Sequence, residues 1–272
     1  MLRILIPGNS GSADFKSRAG VCALAVMAKA PRPGKVKTRL SPPLTAEQAA
    51  GLNVCFLRDT TENIGAVGAG IVVYTPVGDE ALFDGLLPDD FMLVAQRGDG
   101  FGERLLAAAE DILACGYGSV CLIDSDSPTV PREAYELAVA ELTRPGGRIV
   151  LGPTADGGYY LIGMKRAHAA VFERIHWSTD SVCTETREQA RGAGIEVVDL
   201  PLWYDVDDAA TLDILKAELL GGMAPGFATM PGYDAGHTRN FLLALNMGPT
   251  AAVAAEANAM EAQDEVTREG AR

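Results

Sequence analysis

A basic segment between two apolar stretches is the first part of the sequence that could do chemistry. It carries five cationic side chains and no acidic one, although the whole chain has a formal net charge of −13. Gly34 lies inside the segment, where a glycine lets backbone N–H groups approach an anion closely. The segment therefore predicts a phosphate-binding site that differs in spacing from a P-loop, with a solvated basic turn as the alternative. The cations are Lys29, Arg32, Lys35, Lys37 and Arg39.

Two pairs of aspartates have the spacing of carboxylates that share a cation. Asp124 and Asp126 follow an apolar run, and Asp205 and Asp207 follow a second apolar stretch. Residues two apart in an extended chain project to the same side, and neighbouring carboxylates repel each other unless a cation joins them. Hard oxygen ligands of this kind suit Mg²⁺ or Mn²⁺ that bridges to substrate phosphates.

Helix capping is the alternative role for both acidic pairs. Asp126 or Ser127 could cap a helix that begins near Pro131, and Asp207 or Asp208 could cap the helix that follows them. Capping explains one of the three carboxylates Asp205, Asp207 and Asp208, but it does not explain why a second acidic pair stands where another strand should end. We therefore expect the basic segment and both pairs to converge on one metal-bound polyphosphate.

Two glycine-containing segments are weaker candidates. Asp156, Gly157 and Gly158 first of all predict a turn, although such glycines could also admit a flat ligand or sugar whose hydroxyls bind Asp156. The segment 96–104 opens a helix whose N-terminus could bind an anion. Its candidate residues are Gln96, Gly102 and Arg104, and Trp177 could stack on a ligand or lie in the core.

The elements that would position these residues alternate between strand and helix patterns. This alternation predicts an α/β fold with a single doubly wound, mostly parallel sheet, whose ligands bind beyond the carboxyl ends of the strands. Thr45 and Gln48 have the spacing of a capping box. We expect an extension at 1–20, the domain at 21–248, and a tail at 249–272 that is a frayed helix or disordered. Strands are predicted at 22–28, 70–76, 91–96, 119–123, 148–153 and 195–200, and helices near 45–64, 102–115, 131–143, 182–193, 208–220 and 238–245.

The composition limits the class of protein. With 272 residues, 48% of them hydrophobic, the chain can bury a large core and is not a disordered protein. Its acidity argues against nucleic-acid binding, and it has no apolar run of about 18 residues that could span a membrane. Five scattered cysteines and three distant histidines predict free thiols and no His-rich metal site. We expect a soluble, cytoplasmic protein. The sequence does not predict its oligomeric state.

Several motifs together resemble one bacterial family. AKAPRPGKVKTRL, GERL, DSDSP, GPTADGGYYLIG, WSTD and DVDDAATL occur in the order seen in the glycosyltransferase-A-like group called radical-SAM/selenodomain-associated transferase 1, domain of unknown function 2064. The resemblance covers about residues 22–245 and implies the nucleotide-diphospho-sugar transferase fold, a cytosolic location and a divalent metal. The last motif also looks like part of small nucleotidyltransferases that act on molybdopterin or phospholactate. The family usually reads Gly-Thr-Asp-Ser-Pro at 124–128, so Asp126 matches and Asp124 is an addition.

Two transferase reactions fit these residues, and nucleotidyl transfer is the predicted one, with glycosyl transfer as the alternative. In nucleotidyl transfer, a phosphorylated small molecule attacks the α-phosphate of a nucleoside triphosphate and pyrophosphate leaves, a reaction that the density of cations favours. In glycosyl transfer from a nucleotide-diphospho-sugar, Asp124 meets the ribose or the metal, and Asp156 or Asp180 is the base for the acceptor. The added Asp124 favours this second reaction. A nucleotide-binding module without catalysis is a third possibility.

The predicted site combines these features. Its ligands are a nucleotide or nucleotide-sugar and a small-molecule acceptor, with Mg²⁺ or Mn²⁺ as cofactor and no nucleic acid or membrane as partner. The predicted catalytic residues are Lys37, Asp126 and Asp156, and the predicted metal ligands are Asp126, Asp205 and Asp207. The predicted nucleotide-binding residues are Lys29, Gly34, Lys35, Lys37, Arg39, Gln96, Gly102, Arg104, Asp124, Gly157 and Gly158.

Overall fold

Eight strands build the core of the protein in a computed structural model, which describes residues 3–7 and 17–247. Six of them match the predicted strands to within two residues at either end, and those at 119–123 and 148–153 match without any difference. The strands are β1 (Arg3–Ile4), β2 (Cys22–Lys29), β3 (Ala69–Thr75), β4 (Met92–Ala95), β5 (Ser119–Ile123), β6 (Arg148–Pro153), β7 (Tyr159–Met164) and β8 (Glu196–Asp199).

All eight strands belong to one sheet with the order β1-β4-β3-β2-β5-β7-β6-β8. Every neighbouring pair is parallel except the two pairs that contain β7. β7 is not among the strands predicted from the sequence. Only five residues separate it from β6, too few for a parallel crossover, so the two form an antiparallel pair. The predicted single, mostly parallel sheet is confirmed.

Helices cover both faces of the sheet, as expected for a doubly wound fold. Leu24 of β2 packs in one buried cluster with Phe56, whereas its neighbour Ala25 packs in the opposite cluster with Ile112. The alternation arises because successive residues of a strand point to opposite faces. The helices are α1 (Ala46–Gly65), α2 (Phe101–Ala114), α3 (Arg132–Thr143), α4 (Val182–Gly192), α5 (Ala209–Gly221) and α6 (Gly236–Met247).

The helix caps decide which acidic residues have a structural role. Thr45 and Gln48 form the predicted capping box at the start of α1. Asp208 caps α5 by accepting the backbone N–H of Thr211 at 2.9 Å. Within the described chain, α3 begins after Pro131 without a side-chain cap, so the alternative capping role of Asp126 and Ser127 is wrong. Capping therefore explains the position of Asp208, but it explains neither the pair Asp124 and Asp126 nor the pair Asp205 and Asp207.

The chain termini are only partly described. Arg3 and Ile4 of the predicted extension pair with β4 as an edge strand. The predicted tail at 249–272 lies outside the described residues. Across the described helices, none has the length and apolar character needed to cross a membrane.

Candidate active site

Two adjoining cavities open beyond the carboxyl ends of β2 and β5. The larger has a volume of about 480 Å³ and the smaller about 240 Å³. Arg39, Ser125, Asp126 and Asp207 line both cavities, so the two are halves of one cleft. This position is the one at which open α/β sheets bind their ligands.

The larger cavity is strongly acidic. Burial, and then the charge of Asp126, holds the pKa of Asp124 well above its ordinary value. Burial together with the charges of Asp156 and Asp207 raises the pKa of Asp205 to about 6. Carboxylates this crowded need additional positive charge. Six line the cavity against a single lining cation, Arg39, and they are Asp124, Asp126, Asp156, Asp180, Asp205 and Asp207.

Lys37 joins the basic segment to both acidic pairs. Its Nζ lies 2.8 Å from Asp126 Oδ1 and 3.1 Å from Asp207 Oδ1, and it donates to the carbonyl oxygen of Val206 at 2.7 Å. The side chain is only 4% exposed. Burial lowers the pKa of Lys37, but the two carboxylates outweigh burial and raise it above its ordinary value. Lys37 is therefore a buried ammonium in the wall of the smaller cavity that neutralises one aspartate of each acidic pair.

Backbone contacts hold this arrangement in place. The N–H of Val206 donates to the carbonyl oxygen of Asp126 at 2.9 Å, which ties the loop after β5 to the loop before α5. Lys37 itself has φ 48°, a left-handed conformation that is uncommon outside glycine. It precedes a short 3₁₀ turn at Thr38–Leu40, whose Leu40 is fully buried. Burial of Leu40 anchors the basic segment, so that Lys37 points inward.

The smaller cavity is the basic half of the cleft. Lys29 and Lys35 line it, and within the described residues neither forms an ion pair. Two other cations of the segment are neutralised by aspartates. Arg32 binds Asp79 through two contacts of 2.6 and 2.5 Å, and Arg39 forms an ion pair with Asp207. The free positive charge facing this cavity is thus smaller than the composition of the segment indicates.

Two aromatic side chains form an apolar wall of the larger cavity. Trp177 lies in edge contact with Phe101, with ring centroids 5.1 Å apart. Phe101 is 44% exposed and lines the larger cavity together with Trp177. The second tryptophan, Trp203, is buried in the core. Phe101 is not among the residues predicted from the sequence, whereas Trp177 was expected either to stack on a ligand or to lie in the core.

Some predicted nucleotide-binding residues have structural contacts instead of lining a cavity. Gln96 donates through its side-chain amide to the carbonyl oxygen of Val73 at 2.8 Å. A Cβ on Gly102 would lie 2.9 Å from the ring of Trp177, so Gly102 permits close packing of the aromatic wall. The guanidinium of Arg104 lies 5.8 Å from the ring of Phe101. In the described part of the chain, five of the predicted residues line neither cavity: Gly34, Gln96, Gly102, Arg104 and Gly157.

The turn that carries Asp156 is built around its carboxylate. Asp156 Oδ1 accepts from Thr154 Oγ1 at 2.5 Å and from the N–H of Gly158 at 3.0 Å. Gly157 has φ +94°, as the predicted turn requires. Its face is occupied by the backbone of Asp180, so this glycine admits the chain itself and not a flat ligand.

Replacing Gly157 is expected to separate the two loops that flank the larger cavity. A Cβ at this position would lie 2.0 Å from the carbonyl oxygen of Asp180. Gly157→Ala should therefore lower the free energy of unfolding, measured by urea denaturation, by clearly more than the roughly 1 kcal/mol that a left-handed glycine alone costs. Gly34→Ala is the matched control, because Gly34 has φ +71° and open space around its Cβ position. Equal losses for the two variants would contradict the predicted clash.

A second group of possible metal ligands lies outside both cavities. One oxygen or nitrogen from each of Asp59, Glu62 and His237 falls within 4.8 Å of the others. Asp59 and Glu62 are three apart on α1, a spacing that places both on one helix face. Asp59 accepts the backbone N–H groups of His237 and Thr238 at 3.0 and 2.8 Å, which caps the start of α6. These contacts give the group a structural role in docking α6 onto α1.

Comparison with solved structures assigns the protein to a known class of fold. A protein from Desulfovibrio desulfuricans G20 described as a "putative nucleotide-diphospho-sugar transferase" is 31% identical, covers 81% of this chain and 97% of its own, and has a TM-score of 0.68. CMP:2-keto-3-deoxy-manno-octonic acid synthetase in complex with CTP is 11% identical, covers 75% of this chain and all of its own, and has a TM-score of 0.50. The chain therefore has the nucleotide-diphospho-sugar transferase fold.

The chain belongs to the family described as "Uncharacterized protein conserved in bacteria (DUF2064)", which matches residues 63–179. The resemblance stated from the motifs is thereby confirmed. A search of curated proteins found no match.

Proposed function

We propose that this protein is a divalent-metal-dependent glycosyltransferase that uses a nucleotide-diphospho-sugar as donor. One observation carries the proposal: a basic cavity and an acidic, aromatic-walled cavity meet at Asp126 and Asp207. A donor that spans the junction has its phosphates against Lys29 and Lys35 and its sugar in the larger cavity. The name of the Desulfovibrio relative agrees with this donor class.

The donor set of the larger cavity fits a divalent cation. Its oxygens are hard ligands of the type that Mg²⁺ and Mn²⁺ prefer, and burial followed by the charges of neighbouring aspartates raises the pKa values of Asp124 and Asp205. An anionic diphosphate would otherwise be repelled by these carboxylates. We propose Asp126 and Asp205 as the residues that hold the ion, with Asp124 and Asp207 beside them. A bound ion would supply charge stabilisation for the diphosphate that leaves.

The sugar half of the cleft has the groups that a hydroxyl-rich ligand needs. Its volume of about 480 Å³ lies within the range of roughly 300–1,000 Å³ that is usual for small-molecule sites. Phe101 and Trp177 offer an apolar surface for one face of the sugar ring, and Asp180 and Thr179 can bond its hydroxyl groups. A cavity rich in carboxylates favours an uncharged acceptor over a phosphorylated one.

Asp156 is the proposed base for the acceptor. The donors from Thr154 and Gly158 fix its carboxylate at the cavity wall. In this reaction Asp156 takes the proton of the acceptor hydroxyl while that oxygen bonds to the anomeric carbon, and the bond from this carbon to the diphosphate breaks. Lys29 and Lys35 stabilise the charge on the departing nucleoside diphosphate.

Nucleotidyl transfer is the second candidate, and the unpaired state of Lys29 and Lys35 favours it. Two free lysines in the smaller cavity suit the charge of a departing pyrophosphate. Against it, Arg32, Lys37 and Arg39 are engaged with aspartates and contribute less to phosphate binding than the sequence indicates.

Ligand-induced stabilisation distinguishes the two reactions. With Mn²⁺ present, we expect a nucleotide-diphospho-sugar such as UDP-glucose or GDP-mannose to raise the melting temperature more than the same nucleoside diphosphate or the corresponding triphosphate. Transfer of a radiolabelled sugar to a panel of neutral acceptors then tests the reaction itself. Stabilisation mainly by triphosphates would replace the proposal with nucleotidyl transfer. No stabilisation by any nucleotide would exclude both reactions.

A further inference from the structure

Lys37 occupies a position that resembles a cation-binding site. Its Nζ is surrounded by one oxygen of Asp126, one oxygen of Asp207 and the carbonyl oxygen of Val206, at 2.7–3.1 Å. We propose that Lys37 is a resident cation that takes the place of a second divalent ion and confines the metal to the cleft-facing carboxylates. This inference rests on the metal dependence in the proposed function and deepens it.

The ammonium group is fully engaged at this position. Its three N–H donors have three oxygen acceptors, its side chain is 4% exposed, and the ring of Phe56 lies 5.6 Å from Nζ. A Mg²⁺ ion needs oxygens at about 2.0–2.1 Å, so it cannot share this space with the ammonium. The point between Asp126 and Asp207 is therefore closed to a metal as long as Lys37 remains.

The neighbouring contacts show which oxygens remain for a metal. Lys37 takes Oδ1 of Asp207, and Arg39 takes Oδ2 of the same carboxylate. On Asp126, Lys37 and the hydroxyl of Ser125 both contact Oδ1, and within the described part of the chain these contacts leave Oδ2 for a metal. Asp207, predicted from the sequence as a metal ligand, is thus neutralised by protein cations, and Asp126 Oδ2 with Asp205 provides the metal site.

Counting bound Mn²⁺ tests this arrangement without any measurement of activity. Lys37→Met keeps most of the side-chain length and leaves the position of Nζ vacant. In nucleotide-free titrations followed by electron paramagnetic resonance, we expect this variant to bind one more equivalent of Mn²⁺ than the wild-type protein. Adding Asp207→Asn to Lys37→Met should remove that extra equivalent. Lys35→Met is the matched control and should bind as the wild type does, since Lys35 is exposed and touches neither carboxylate.

A second measurement uses the wild-type protein alone and applies even where Lys37→Met fails to fold. Lysine acetylation followed by mass spectrometry should modify Lys35 readily and leave Lys37 protected, both with and without Mn²⁺. Reaction of Lys37 in the presence of Mn²⁺ would show that the metal displaces the ammonium, and it would overturn the inference. Equal Mn²⁺ stoichiometry in Lys37→Met and wild type would overturn it as well.

The results also separate this inference from the proposed function. If the wild-type protein binds no Mn²⁺ while Lys37→Met binds one equivalent, the resident-cation role stands and the metal dependence of the reaction fails. If both proteins bind one equivalent, the metal dependence stands and the role of Lys37 as a substitute ion fails.

Discussion

Asp126→Asn is expected to remove the Mn²⁺-dependent part of nucleotide-diphospho-sugar binding. Asn keeps the size of the side chain and an oxygen that can accept from Lys37, but it lacks the charge that a divalent ion requires. Loss of residues that merely orient metal ligands lowers metal affinity about 10–100-fold, so loss of a ligand should reach or exceed about 100-fold. Isothermal calorimetry with UDP-glucose, with and without Mn²⁺, measures this difference directly.

The matched control for this prediction is Asp213→Asn, which also removes one carboxylate charge. Asp213 lies on α5, its side chain is 76% exposed, and its ion pair is with Lys216. We expect the metal-dependent binding of this variant to equal that of the wild type. An unchanged Mn²⁺ effect in Asp126→Asn would remove Asp126 from the metal site, and an equal loss in both variants would reduce the effect to net charge.

The sheet could be predicted from the sequence because burial on both faces leaves a clear signal. The strands at 119–123 and 148–153 are continuous apolar runs bounded by polar residues or Pro, and their predicted limits are those of the structure. The strand at 159–164 was not predicted, because this part of the sequence was interpreted only as a glycine-containing turn. The length of that turn, too short for a parallel connection, was the available signal.

The partners of individual site residues could not be predicted in the same way. Four of the five cations in the basic segment, all but Arg32, are predicted to bind the nucleotide, but the sequence does not show that Arg32 pairs with Asp79, 47 residues away. Lys37 reaches Asp207 across 170 residues. Sequence shows how many charges lie in a segment, but the fold decides which of them neutralise one another. For the same reason, the sequence did not show that Gln96 hydrogen-bonds to the backbone or that Gly102 packs against the aromatic wall.

These pairings change the balance between the two transferase reactions. Nucleotidyl transfer calls for a dense set of free cations around a triphosphate, and the ion pairs of Lys37 and Arg39 reduce the four predicted cations to Lys29 and Lys35. The larger cavity, by contrast, is lined by carboxylates and an aromatic wall, and these features suit a sugar better than a second phosphate. Lys29 and Lys35 together with one divalent ion can neutralise a diphosphate. The distribution of charge therefore supports the glycosyl donor.

Lys37→Met is expected to lower the free energy of unfolding in metal-free buffer by about 3 kcal/mol. Removal of one partner of a buried ion pair costs about 3–5 kcal/mol, because the remaining charge is left unpaired. The lower end of that range applies here, since the side chains of Asp126 and Asp207 are 33% and 28% exposed. Urea denaturation of the wild type and the variant measures the difference.

Removal of the unpaired charges should restore most of this stability. The triple variant Lys37→Met, Asp126→Asn, Asp207→Asn no longer contains the ion pairs of Lys37, so we expect its unfolding free energy to return to within about 1 kcal/mol of the wild type. Mn²⁺ should stabilise Lys37→Met more than it stabilises the triple variant, because only the former keeps both carboxylates. If the triple variant is as unstable as Lys37→Met, the loss comes from packing around Phe56 and not from the charges of Asp126 and Asp207.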